Sequence, residues 1–98
     1  MKTVQNLSEG FTIIVDEDED HGIIAVYTST GEYVTVGELS YVILDKQIKI
    51  NNIEVLQEYR CNGIGELLIN VLEINHIDKV IDWGVTTELG MYLQSKFD

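Results

Sequence analysis

The sequence predicts a single α/β domain of the α+β type, spanning residues 1–98, with a mixed, mostly antiparallel sheet, a central helix and a C-terminal helix. Short segments rich in β-branched and aromatic residues follow one another through Val55 with brief turns between them, as in an antiparallel meander. The apolar pattern then becomes helical from Ile64. A further strand at residues 79–85 follows this helical crossover, so we expect it to lie parallel to the strand ending at Val55.

The first two strands are predicted at residues 11–15 and 23–28. The acidic run DEDED at residues 16–20 lies between them and predicts a solvated turn. Its alternate carboxylates have the spacing of a calcium loop. However, His21 and Tyr27 occupy the positions where that loop needs a glycine and a glutamate, and we therefore reject a metal site.

The third and fourth strands are predicted at residues 33–44 and 47–55. In the fourth strand, the alternation of isoleucines and valine shifts by one residue across Asn51 and Asn52. One extra residue in a strand is typical of a β-bulge. The sequence therefore predicts a bulged fourth strand.

Two helices complete the predicted fold. The apolar stripe of the central helix consists of Ile64, Leu67, Leu68, Val71 and Leu72, and its polar face of Glu66, Asn70 and Glu73. Thr86 or Thr87 is suited to cap a final helix, whose apolar positions are Leu89, Tyr92, Leu93 and Phe97.

Composition narrows the function classes. A formal charge of -11 with only six Lys and Arg residues argues against direct nucleic-acid binding and favours basic partners. No stretch has the length of a membrane span, so we expect a soluble protein with no membrane association. The N-terminus lacks the apolar region of a secretory signal, and the single Cys61 cannot form an internal disulfide. We therefore expect a cytoplasmic location.

The junction between the fourth strand and the central helix carries the best indication of function. The run RCNGIG at residues 60–65 begins with Arg60, the only arginine in the chain. A helix N-terminus offers unpaired amides and a positive dipole end, and glycines allow a phosphate to approach the backbone closely. In a strongly acidic protein, an arginine at this point favours a phosphate site. The alternative is that these glycines serve only the turn.

This run matches the pyrophosphate loop Q/R-x-x-G-x-G/A, and the chain resembles the GNAT superfamily of acetyl-CoA-dependent N-acetyltransferases over roughly residues 22–97. Residues 37–41 resemble the third strand of that family, and residues 53–59 resemble its bulged fourth strand. A tyrosine five residues before a phenylalanine, here Tyr92 and Phe97, resembles the family's C-terminal ending.

A dinucleotide-binding domain is the other alternative for this glycine run. The third glycine of its fingerprint is missing, and an antiparallel meander is the wrong context for a fully parallel sheet.

The resemblance implies specific roles for individual residues. Main-chain groups near Val55 would bind the pantetheine arm of acetyl-CoA, and Tyr92 would protonate the departing thiolate; core packing is the alternative role for this tyrosine. Glu54 is the candidate general base, with Glu38 as a second candidate and a solvated strand residue as the alternative reading. The implied cofactor-binding residues are Val55, Arg60, Cys61, Asn62, Gly63, Ile64, Gly65 and Glu66.

Direct attack of an amine on the thioester is also what the resemblance implies. Cys61 lies in the loop away from an evident base, and neither His21 nor His76 has an evident partner in the sequence. The segment at residues 16–22 is too short for the helices that family members carry between their first two strands. We therefore expect an open, acidic acceptor side, suited to a protein lysine or amino terminus, with small amines as an alternative.

Two functions of different classes follow. The first is an N-acetyltransferase that transfers acetyl from acetyl-CoA to a primary amine. The second is a non-catalytic acidic interaction or inhibitor protein with a vestigial CoA site, favoured by the charge of -11 and the missing acceptor helices. An open sheet edge near the C-terminus would permit a homodimer.

Overall fold

The computed structural model describes residues 2–6, 10–28, 34–59 and 63–83, with the backbone alone for residues 2–6. Within these ranges lie six strands, one α-helix and a short 3-10 turn at Gln57–Tyr59. The strands and helix are β1 (Lys2–Asn6), β2 (Phe11–Glu17), β3 (His21–Thr28), β4 (Thr35–Ile43), β5 (Gln47–Val55), α1 (Ile64–Asn75) and β6 (Val80–Asp82). The predicted C-terminal helix, with Tyr92, lies outside the described residues.

The strands form one sheet in the order β1-β2-β3-β4-β5-β6. All neighbours from β1 to β5 are antiparallel, and β6 pairs with β5 in parallel. This confirms the mixed, mostly antiparallel sheet and the parallel last strand. Strand β1 is an addition that the sequence pattern does not predict, because Val4 is its only strongly apolar residue. These residues form a strand because they pair with β2 at the edge of the sheet, and their own sequence does not favour one.

Two of the five residues of the acidic run, Asp16 and Glu17, belong to strand β2 rather than to the turn. Strand β2 continues through Glu17 and β3 begins at His21, so the connection is shorter than predicted. Asp18 organises it: one carboxylate oxygen accepts hydrogen bonds from the backbone N–H groups of Asp20 (2.9 Å) and His21 (3.0 Å). These bonds, that from Asp20 first, lower the pKa of Asp18. The solvated turn is confirmed, with an aspartate holding its backbone.

The bulge predicted in the fourth strand is present in β5. Ser40 of β4 pairs with Asn52, whereas the next residue, Tyr41, pairs with Ile50, leaving Asn51 as the extra residue. Ile50 and Ile53 are therefore both buried on the same side of the sheet even though they are three positions apart. A second irregularity, between β3 and β4 at Val26 and Tyr27, was not predicted.

The main core lies between α1 and strands β3, β4 and β5. Its fully buried side chains include Ile24, Val26, Leu39, Tyr41, Ile48, Ile50, Ile53, Leu68, Ile69 and Leu72. The helix is rotated relative to the predicted stripe. Leu67 and Val71 are half-buried, whereas Ile69, which the predicted stripe omits, is fully buried. The stripe that meets the sheet is therefore centred nearer to Ile69 than the spacing of the leucines indicates.

The first turn of α1 approaches the sheet closely at Gly37. A Cβ atom added to Gly37 would lie 2.7 Å from the Cγ2 atom of Ile64 and 3.4 Å from Cδ1 of Leu68. The shorter distance is below normal van der Waals contact, so only glycine allows the helix to sit at this height above β4. Gly37 also pairs with Val55, which places the start of α1 over the end of β5.

We expect Gly37→Ala to lower the free energy of unfolding by about 1–3 kcal/mol, because the added methyl group overpacks the contact with Ile64. Urea unfolding measures this change. In an Ile64→Ala background, which removes the opposing Cγ2 atom, the same substitution should cost clearly less. An equal cost in both backgrounds would contradict the steric explanation.

Candidate functional site

The described part of the RCNGIG run begins at Gly63, and Arg60, Cys61 and Asn62 lie outside the described residues. Gly63 has a φ of +77°, in the left-handed region that favours glycine, and it is the N-cap of α1. The N-cap Gly63 makes no side-chain capping hydrogen bond, and the first intrahelical bond runs from the N–H of Leu67 to the carbonyl of Gly63 at 2.9 Å. The first-turn amides therefore have no partner within the helix.

The surroundings of Gly63 are open. A Cβ atom built at this glycine would meet nothing within 4 Å, and the residue is exposed. Ile64 and Gly65 are buried behind it, and Glu66 is half-buried in the first helical turn. Gly63 thus exposes backbone without a side chain at the helix start, where an anion would meet the positive end of the helix dipole.

The segment between β5 and α1 is held by backbone and ring contacts. The N–H of Leu56 donates to the carbonyl of Val36 (2.9 Å), and the N–H of Tyr59 donates to the carbonyl of Leu56 (2.9 Å). The ring of Tyr59 packs edge-on against Phe11, with a centroid separation of 6.1 Å. These contacts hold residues 56–59 against β4 and β2.

Strand β6 pairs with β5 only ahead of the bulge. Its three residues align with Gln47, Ile48 and Lys49, and no described pair with β6 extends beyond Lys49. The bulge follows at Asn51, and β5 continues to Val55 alongside β4. In the described part of the chain, the two parallel strands are therefore joined at one end only, and the distal half of β5 runs on toward the start of α1.

The two candidate bases are brought together on the sheet face away from the helix. Glu38 of β4 and Glu54 of β5 are directly opposed in the antiparallel register, and both are exposed. Val55, the next residue, is buried on the helix side, near Gly37 and Ile64. Because successive side chains of a strand point to opposite faces of the sheet, Glu54 and the helix start lie on opposite faces.

A second polar cluster, formed by Glu17, Tyr41 and His76, was not predicted from the sequence. The hydroxyl of Tyr41 donates to the Oε1 atom of Glu17 at 2.7 Å, and Nε2 of His76 lies 2.6 Å from the same oxygen. The rings of Tyr41 and His76 meet edge-on at 6.1 Å. The sequence-based reading that neither histidine has a partner is wrong, because His76 pairs with Glu17, and His21 lies 3.2 Å from a carboxylate oxygen of Asp18.

This second cluster joins the end of α1 to the sheet. His76 is the C-cap residue of the helix, a position where the dipole favours a positive charge. Gly22 provides the space, because a Cβ atom there would lie 2.5 Å from the hydroxyl and Cζ atoms of Tyr41. The twelve residues of α1 separate the cluster from Gly63 by about 18 Å. We therefore treat it as a structural tie distinct from the candidate phosphate site.

Two further properties of the described residues bear on function. No three His, Cys, Asp or Glu side chains within the described ranges are grouped as metal ligands would be. No helix in those ranges is long and apolar enough to cross a membrane. A scan against protein-family models gives no match, and searches of curated proteins and of solved structures find no significant relative.

We expect Tyr41→Phe to lower the free energy of unfolding at neutral pH by about 1.5–3 kcal/mol, because the Glu17 carboxylate loses the hydrogen bond that the Tyr41 hydroxyl donates. The pKa of Tyr41 is raised, first by burial and then by the hydrogen bond to Glu17 and its charge. The folded state therefore retains this proton at a pH where the unfolded chain releases it, so the stabilisation is complete below about pH 10 and is lost as pH rises further.

Urea unfolding between neutral pH and about pH 11 tests this linkage. By about pH 11 the wild type should have lost about 1.4 kcal/mol more than Tyr41→Phe, since the variant lacks only this titration. Parallel stability profiles for the two proteins would contradict the buried, hydrogen-bonded phenol.

Proposed function

We propose that this protein is a minimal N-acetyltransferase that transfers the acetyl group of acetyl-CoA to a primary amine. One arrangement carries the proposal: α1 begins at Gly63 in a left-handed conformation, with no side-chain cap at that glycine, over the end of a bulged strand, and β6, as far as the chain is described, pairs with that strand only ahead of the bulge. An exposed glycine at a helix start suits a pyrophosphate, and parallel strands paired ahead of a bulge suit an extended arm entering beside them.

Cofactor binding follows from these positions. The amides of residues 63–66 would hold the pyrophosphate, with the guanidinium of Arg60 supplying the positive charge that an acidic protein otherwise lacks. Cys61 and Asn62 would contribute their backbone to the same loop. Val55, at the end of β5 and paired with Gly37, would offer main-chain groups to the pantetheine arm and to the thioester carbonyl.

The reaction needs one proton acceptor and one proton donor. Glu54 would take a proton from the alkylammonium group, and the neutral amine would attack the thioester carbonyl. The C–N bond forms and the C–S bond breaks; Tyr92 would protonate the departing thiolate, and the second proton released by the acylated nitrogen would restore the Tyr92 phenol. A phenol, with an ordinary pKa of about 10, is suited to donate to a thiolate that it contacts.

The exposed, acidic face of the sheet supports a cationic acceptor. Glu38 and Glu54 are opposed on adjacent strands, so an ammonium group between them would relieve the repulsion of two carboxylates. The connection between β2 and β3 is a short turn that contains no helix. A lysine side chain or an amino terminus of a protein in the cytoplasm fits such an open face better than an enclosed metabolite.

A non-catalytic acidic interaction protein is the second candidate function. The observation that favours it is a group of exposed aliphatic side chains at the end of α1 and the start of β6, which catalysis does not require. Binding of acetyl-CoA without turnover on amines or basic peptides would identify this second function. Turnover would identify the first.

We expect Gly63→Glu to weaken acetyl-CoA binding about 10- to 100-fold more than Gly63→Gln does, measured by calorimetry. Both side chains have the same size, both suffer the left-handed backbone, and both have open space around the Cβ position. They differ only in charge, so the comparison isolates repulsion from a bound phosphate. Equal affinities for the two variants would rule out a pyrophosphate at this helix start.

We expect Glu54→Gln to lower kcat about 10²-fold or more with little change in acetyl-CoA affinity, since a general base acts on the amine alone. Glu38→Gln is the matched control, because it removes the opposed carboxylate on the neighbouring strand. Release of free thiol in the presence of a lysine peptide measures turnover. If Glu38→Gln alone shows the loss, the base is Glu38; if neither does, the acidic face has no part in proton transfer.

A further inference from the structure

The most exposed large aliphatic side chains in the described residues lie together at the end of α1 and the start of β6. Ile74, Ile77 and Val80, hereafter the aliphatic patch, are 73%, 88% and 71% exposed. All three line one groove of about 580 Å³. Trp83 and His76 line it too. β-Branched side chains exposed to this degree and adjacent to one another are typical of a contact surface.

Carboxylates flank the aliphatic patch. Glu73 lines the groove, and Asp78 follows Ile77 directly; both residues are exposed. Among the described residues of the lining, Lys79 is the one Lys or Arg, and its Nζ atom donates to the carbonyls of Leu44 (2.9 Å) and Asp45 (2.8 Å). Its charge is therefore held against the turn between β4 and β5, and the groove presents apolar side chains beside carboxylates.

We propose that the aliphatic patch binds a basic amphipathic segment of a partner protein, with apolar side chains in the groove and Lys or Arg residues beside Glu73 and Asp78. Charge complementarity selects this occupant. A second copy of the chain would bring another -11 charge and the same carboxylates to the contact. This proposal does not depend on acetyl transfer, because the patch lies at the opposite end of α1 from Gly63.

The protein contains its own reporter for this groove. Trp83 is the only tryptophan in the chain and is part of the lining. A segment that excludes water from the groove should shift the emission of Trp83 to shorter wavelength. The probe is a synthetic amphipathic helix of Leu and Lys without aromatic residues, and its control is the same sequence with Glu in place of Lys.

We expect the Leu/Lys peptide to bind saturably and to shift the Trp83 emission, and the Leu/Glu peptide to do neither. Ile77→Asp should weaken the Leu/Lys affinity at least about tenfold. This variant makes the protein more negative, so attraction by charge alone would strengthen binding. Weaker binding of the Leu/Lys peptide to Ile77→Asp would therefore report the loss of apolar contact. Val34→Asp, at an exposed aliphatic position just before β4, is the matched control and should not weaken binding.

Three results would overturn the proposal. One is absence of Leu/Lys binding, or equal affinity for the wild type and Ile77→Asp. Another is self-association in sedimentation that Ile77→Asp abolishes, which would make a second copy the occupant. The third is a large loss of thermal stability in Ile77→Asp without peptide, which would make residues 84–98 of the same chain the occupant. Under the proposal, the variant unfolds at the same temperature as the wild type.

Discussion

The close approach of α1 to β4 at Gly37 is the contact on which the arrangement of the molecule depends. Because a Cβ atom there would lie 2.7 Å from Ile64, the absence of a side chain sets how near the first helical turn lies to the sheet. Gly37 is also paired with Val55, so the same contact places the helix start over the end of the bulged strand. The candidate cofactor site is a consequence of this packing.

The opposite end of α1 is fixed by different chemistry. Glu17 accepts from Tyr41 and pairs with His76, which ties the last helical turn to β2 and β4. The helix is thus held by steric fit at its start and by a polar cluster at its end. Each end then presents a separate surface: backbone amides at Gly63, and aliphatic side chains from Ile74 onward. This separation would let the proposed cofactor and the proposed partner bind without competing for the same residues.

Much of the fold could be predicted from local pattern, because alternation, helical period and turn chemistry are encoded within short segments. The bulge at Asn51 and the helix start at Gly63 are examples. The tie between Glu17 and His76 could not be predicted, since it joins residues 59 positions apart and depends on how the helix crosses the sheet. Gly37 is similar, because its neighbour Ile64 comes from the helix and not from its own strand.

We propose that acetyl-CoA binds at the start of α1 beside residues 52–55 of β5. A titration of the isotopically labelled protein with acetyl-CoA, followed by amide chemical shifts, tests it most directly. We predict saturable shifts at Gly63, Ile64 and Gly65 and at residues 52–55, with little change at Ile77. Shifts confined to the far end of α1, or no shifts at all, would contradict the account.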